Sequence, residues 1–199
     1  MKKTLLLSTI AAAFFATSGY AAEMSPYLSG RLRYSQIQTE YTESSYFSTD
    51  LTDGVVGGSI AVGFSSKTDL GGMRAELEYN YNQDSEDKIL GLISTKVKTQ
   101  SVMLNAYYDV PTGTILTPFV GGGIGYAKIK GQMSYGAFSE SMEDDKFVWQ
   151  VGAGIGAKLT ENVIFDVGYR YVDWGRSSQG VVSIDTTSHE AYLGIRYEF

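Results

Sequence analysis

His189 is the lone histidine of the chain and so its only conventional general base. Ser188 and Glu190 flank it, and a Ser-His-Glu set has the composition of a hydrolytic triad. Chemistry requires the three on one face, however, and residues 188–190 open an alternating segment in which neighbours point to opposite sides. A His-x-Ser pair, which would put both groups on one face of a strand, is also absent, because Ala191 stands two residues after His189. The absence of cysteine removes thiolate nucleophiles, thiolate metal sites and disulfides. Glu143-Asp144-Asp145 is a contiguous acidic run without the spaced ligands of a calcium loop. The glycine sets Gly121, Gly123, Gly125 and Gly152, Gly154, Gly156 precede no helix, so they cannot cradle a phosphate. No catalytic, metal-binding or cofactor-binding residue is expected.

What remains is a set of charges placed with period two. In Met73 to Tyr81, the residues Met73, Ala75, Leu77, Tyr79 and Tyr81 alternate with Arg74, Glu76, Glu78 and Asn80. Only a strand separates such sets onto two faces. The final segment repeats the grammar, with Ala191, Leu193, Ile195, Tyr197 and Phe199 against Glu190, Tyr192, Gly194, Arg196 and Glu198. Six further runs fit: Tyr27 to Ile37, Val56 to Phe64, Ser101 to Tyr108, Phe119 to Ile129, Phe147 to Leu159 and Ile164 to Val172. The expected fold is therefore all-β, with eight strands.

The connections alternate in length. Lys67 to Gly72, Asp109 to Thr117 and Thr160 to Val163 are short, whereas Gln38 to Val55, Asn82 to Thr95, Lys130 to Lys146 and Asp173 to Ser188 are long. Long and short connections thus leave opposite ends of an antiparallel sheet, as in an eight-stranded transmembrane β-barrel with short periplasmic turns and four extracellular loops. The first 21 residues read as a cleaved export signal: Lys2 and Lys3, an apolar core from Leu5 to Ala16, then Gly19-Tyr20-Ala21. Residues 22–199 would form the barrel. Aromatics supply an independent check, since a membrane barrel carries them at both interfaces. Tyr34, Tyr79, Tyr81, Tyr126, Trp149, Tyr169 and Tyr171 fall at the loop end, and Phe64, Tyr108, Phe165, Tyr197 and Phe199 at the turn end. A soluble sandwich would make both bands coincidental.

The inner face then carries Arg31, Arg33, Arg74, Lys158, Arg170 and Arg196 against Glu76, Glu78, Asp166, Glu190 and Glu198. Eight strands enclose just enough room for side chains, so near-neutral stoichiometry predicts an ion-paired plug rather than a pore. The glycine sets on the fifth and sixth strands are expected to face inward, leaving space either for long side chains or for a narrow water path. The loops hold thirteen acidic residues against four basic ones, which argues against nucleic acid and other polyanions as loop partners. Aromatic loop residues Tyr41, Tyr46, Phe47, Tyr135 and Phe138 are the candidate contacts for an external ligand, or else the cross-strand pairs of hairpins rising above the membrane.

Thr117-Pro118-Phe119-Val120-Gly121-Gly122-Gly123-Ile124-Gly125-Tyr126, Trp149 to Asn162, Asp166 to Tyr171 and Leu104 to Asp109 resemble the opacity-protein and OmpA-like family of eight-stranded outer-membrane barrels. The resemblance implies a non-enzymatic protein of the cell outer membrane, acting in adhesion, host interaction or envelope structure. A small low-conductance porin is the alternative, and a lipid A-modifying enzyme a third possibility. It further implies that Tyr197 and Phe199 resemble the signal read by the barrel-insertion machinery. Outer-membrane lipid, lipopolysaccharide and a host-cell or matrix ligand are the other implied partners.

Overall fold

The structure, a computed structural model, describes residues 24–43, 50–68, 70–82, 85–89, 93–135, 138–179 and 182–199. The strands are β1 (Met24–Glu43), β2 (Asp50–Thr68), β3 (Gly71–Asn82), β4 (Ser85–Ile89), β5 (Ile93–Asp109), β6 (Leu116–Tyr135), β7 (Phe138–Lys158), β8 (Val163–Gln179) and β9 (Val182–Glu198). All pairings are antiparallel between sequence neighbours, except that β1 pairs with β9 and β3 with β5. β4 resumes the course of β3 along the edge of β5, so the wall has eight strands and no free edge through the membrane. Closure matters because lipid offers no partner for an unpaired backbone amide.

Alternation sets the two faces. Leu32, Ile60, Val62, Leu104, Ile124, Val151, Val167, Leu193 and Ile195 project outward and are exposed, as a lipid-facing band requires. Their neighbours Arg31, Ser59, Asn105, Gln150, Asp166 and Arg196 are buried in the lumen. A one-residue slip in register would exchange the sets and put arginine into lipid, so register is strongly determined.

The strands run further than alternation alone predicted, because the long connections are not loops for most of their length. β1 pairs with β2 out to Glu40↔Asp50, β6 with β7 out to Tyr135↔Phe138, and β8 with β9 out to Gln179↔Val182. β7 has 21 residues. At about 3.3 Å per residue and a tilt of about 40°, it rises roughly 50 Å, about twice the height of the apolar band. Half of the strand therefore stands outside the membrane. The polar outer ends of these strands lacked clear alternation, yet once the wall below is paired each further rung extends an existing ladder at little entropic cost.

Short turns close the other end. Between β5 and β6, Val110 N donates to Pro118 O at 2.8 Å, and Gly113 takes the left-handed φ of 67° that the tight turn demands. On the extracellular side of β8 the register shifts between Asp173 and Arg176, where Gly175 has φ of 75° and donates its amide to Asp173 Oδ1 at 2.7 Å. The bulge accompanies Trp174, whose ring is buried in the lumen.

Candidate functional site: the filled lumen and the outer rim

Among the described residues, three buried charged clusters occupy the barrel. At mid-height Glu76 receives Arg31 through both carboxylate oxygens, at 2.8 and 2.7 Å, and also the hydroxyls of Tyr27 and Tyr107, each at 2.9 Å. Glu78 accepts from Ser59 at 2.6 Å, Asn105 at 2.9 Å and Arg170 at 3.0 Å, and lies 3.1 Å from Arg31. Arg170 continues to Glu190 at 2.6 Å, and Glu190 binds Arg33 at 3.1 Å and Ser35 at 3.0 Å. Arg31, Glu76, Glu78, Arg170, Glu190 and Arg33 thus form one continuous chain across the lumen.

Two more clusters lie toward the turns. Arg196 bridges Asp166 at 3.3 Å and Glu198 at 2.9 Å, and Lys67 reaches Glu198 at 2.5 Å from the rim. Arg74 donates Nε to Asp109 at 3.0 Å, with its guanidinium 4.7 Å from the ring centres of both Tyr107 and Phe119. Its Nη2 sits 2.8 Å from the same Asp109 oxygen but out of line for a hydrogen bond, so Coulomb attraction and the two aromatic faces hold it.

The residues named in advance do not all join. Lys158 is exposed at the last position of β7, where the wall ends and a charge keeps its water rather than entering the lumen. Asp109 enters instead, and Lys67 reaches Glu198 from the rim with its own side chain in water; both lay at the edges of predicted turns and carried no periodic signal. Among the described residues, the ion pairs in and at the mouth of the lumen set Arg31, Arg33, Arg74, Arg170, Arg196 and Lys67 against Glu76, Glu78, Asp109, Asp166, Glu190 and Glu198, six to six. Tyr192 is buried on the face it shares with Glu190 and Arg196, as the alternation placed it. The rest of the aromatic filling was missed: Tyr27 and Phe119 are buried, and their parity with Arg31 and Gly121 was the available clue.

The inward glycines make room for this filling, but the occupants come chiefly from adjacent strands. A Cβ at Gly123 would meet Asn105 and the Leu104 carbonyl, one at Gly152 Arg170, and one at Gly156 the Asp166 carboxylate at 2.9 Å. Toward the extracellular mouth, Met103, Ala127, Val148, Val172 and Trp174 form a buried apolar cluster inside the barrel. Trp174 donates its indole N–H to Ser188 at 2.9 Å.

Ser188 and Glu190 are thus committed to the lumen, whereas His189 lies on the outer wall. There it contacts the Tyr169 hydroxyl through Nδ1 and packs edge-on to Tyr171, whose ring is 5.7 Å from Trp149. The wall separates the three members of the apparent triad. Tyr197 and Phe199 project outward at the turn end, edge to face at 5.1 Å, and the Phe199 amide donates to Pro26 O at 3.0 Å. Tyr46 and Phe47, like residues 1–21, lie outside the described residues; Tyr41, Tyr135 and Phe138 fall on the extramembrane ends of β1, β6 and β7, described as backbone.

The chain is similar to known proteins along most of its length. Outer membrane protein PagN of Salmonella typhimurium is 29% identical over 183 residues, covering 75% of each chain. Opacity protein opA67 of Neisseria gonorrhoeae is 24% identical over 152 residues, covering 62% of each. In fold, Neisserial surface protein A superposes with a TM-score of 0.58 at 20% identity, covering 89% of this chain and 99% of its own. OprG of Pseudomonas aeruginosa does so with a TM-score of 0.55 at 15% identity, covering 88% and 96%. The family model described as "Outer membrane protein beta-barrel domain" matches residues 5–199. A lipid-facing wall, a lumen closed by paired charge and a family match along nearly the whole chain make this protein a member of the outer membrane protein beta-barrel domain family, resident in the outer membrane of a Gram-negative cell.

Proposed function

We propose that the protein is a surface-recognition barrel: a closed scaffold that holds four β-hairpins above the outer membrane, where they contact a host cell or matrix ligand. The observation that carries this reading is the continuous pairing of β6 with β7 out to Tyr135↔Phe138, far beyond the lipid-facing band. Rigid hairpins present side chains at low entropic cost, which suits recognition. The similarity to an opacity protein supports the same reading. The lumen does not favour the porin alternative, because ion-paired arginines and an apolar cluster occupy the path a solute would take.

Residues 1–21 serve as the cleaved export signal in this proposal, and the outward Tyr197 and Phe199 as the element read by the insertion machinery. Around the barrel, the band is solvated by lipid and lipopolysaccharide. The test is adhesion to host cells and matrix proteins by a non-adherent Gram-negative strain expressing the intact barrel, beside a version whose four hairpins are cut to tight turns just above the aromatic girdle. Adhesion should require the hairpins. Equal adhesion by the two strains, or none by either, would remove the proposal.

A further inference from the structure

Two glycines of the lipid-facing wall serve no packing within the barrel. Among the described residues, a Cβ built at Gly30 of β1 would meet nothing within 4 Å, and one at Gly58 of β2 would meet only the Arg31 carbonyl, at an ordinary 3.5 Å. The inward glycines differ, since a Cβ at Gly123 or Gly152 would collide with its neighbours. Glycine weakens a strand and often marks the close approach of another surface. Across the β1–β2 ladder the pattern is small beside large, twice over: Gly30 pairs with Ile60, and Leu32 with Gly58. Leu32 is 70% and Ile60 68% exposed, more than any other aliphatic residue within the described strands. Around them a hollow of about 1300 Å³ opens in the outer wall, lined by Leu28, Val62, Tyr79, Leu193 and Ile195 among others.

Depth and shape say what enters the hollow. Gly30 stands four residues below Tyr34 on β1, and its β9 partner Ile195 stands two above Tyr197, so the site lies in the hydrocarbon between the two girdles. A fluid acyl chain conforms to leucine as readily as to glycine. Two rigid walls in lipid, however, gain from the close dispersion contact that small residues permit. The pattern is also self-complementary. Paired residues on neighbouring tilted strands lie within about 3 Å of one height, so a two-fold axis along the membrane normal, between β1 and β2, sets Gly30 of each copy against the partner's Ile60. That axis keeps both copies inserted in one direction. At about 33 Å² of sheet each, the fourteen outward residues lining the hollow cover about 460 Å². A pair would bury roughly 900 Å², just under the ~1,000 Å² of a firm interface, as expected of a reversible dimer.

We propose that the β1–β2 face is a homodimer contact within the bilayer, in which Ile60 of each copy enters the gap over Gly30 of the other. The buried charges of the lumen take no part, because they lie on the far side of the wall. Such a pair carries two sets of hairpins side by side, an arrangement that raises avidity without any new contact to a ligand. The contact lies below the hairpins, so it stands or falls apart from the adhesion reading.

The test is energy transfer between donor- and acceptor-labelled copies of the full barrel in phospholipid vesicles, the dyes attached through Glu161→Cys, over a range of protein-to-lipid ratios. The otherwise unaltered chain should show saturable transfer that unlabelled wild type competes away, and stepwise photobleaching should count two copies. G30V, which fills the gap, and I60A, which removes what enters it, should each weaken association on the order of tenfold. G30V/I60A, which exchanges large for small across the pair, should recover part of that loss, a result that a general packing defect would not give. I124A, on the opposite wall, should associate as wild type. Heat-modifiable gel mobility verifies folding, and I60A carries the test if G30V does not fold. Transfer no greater than random proximity produces would overturn the proposal and leave the hollow to acyl chains. So would saturable association that neither G30V nor I60A weakens.

Discussion

Glu78 is the residue on which the filled lumen depends most. It is fully buried and meets Arg170, Arg31, Ser59 and Asn105. Glu78→Ala leaves six cations facing five carboxylates and strips Ser59 and Asn105 of an acceptor in a space without bulk water. Breaking a buried ion pair by deleting one partner costs about 3–5 kcal/mol, mostly from the charge left behind. Converted at 1.4 kcal/mol per decade, that is roughly a hundredfold to a few thousandfold in the folding equilibrium. Removing Arg170 as well restores neutrality, so E78A/R170A should be more stable than the two single losses predict, by about 1–3 kcal/mol. The assay is urea unfolding and refolding in phospholipid vesicles, followed by Trp149 and Trp174 fluorescence and by gel mobility. If the lumen were a water-filled path, Glu78 would be solvated, E78A would fall within about 0.5 kcal/mol of wild type, and the double variant would show no coupling; that pattern would refute the closed-plug account.

Other expectations follow from the same geometry. Lys67→Ala should shift stability by no more than about 1 kcal/mol in the same vesicle assay, because its side chain is 68% exposed despite the short contact to Glu198. Gly123→Val should abolish refolding on gels, since its Cβ would meet Asn105 and the Leu104 carbonyl, whereas lipid-facing Gly30→Val, with open space around it, should refold at least as well as wild type. Planar-bilayer recordings of wild type should show no steady ohmic conductance, and R170A/M103A, which removes filling from both the ionic and the apolar layers, should raise it. His189→Ala should remove only the contacts to Tyr169 and Tyr171 and leave adhesion unchanged.

Much of this architecture was legible in the sequence because a membrane wall imposes a simple rule. From Met73 to Tyr81 every residue faces either lipid or lumen, so polarity alternates without exception and reports both the strand and its faces. Above the membrane both faces meet water and the rule lapses, which is why the outer ends of β6 and β7 read as loop although their backbones pair. Inside the barrel the criterion was polarity, and it failed in both directions. Tyr27 and Tyr107 belong to the lumen because their hydroxyls meet the buried Glu76, while Lys158 has the right parity but stands where the wall stops. Asp109 shows the same effect at a turn edge, where one residue of strand length decides between solvent and lumen.

The central claim, that the paired hairpins stand on the cell surface above a closed barrel, is tested most directly by cysteine labelling, for which the native chain supplies no background. Single cysteines at Ser134 on the β6–β7 hairpin, at Leu104 in the lipid band and at Glu161 in the β7–β8 turn would be exposed on intact cells to a membrane-impermeant maleimide. The account predicts rapid labelling at 134, none at 104, and labelling at 161 only after the outer membrane is permeabilised. Labelling at 161 with protection at 134 on intact cells would contradict it.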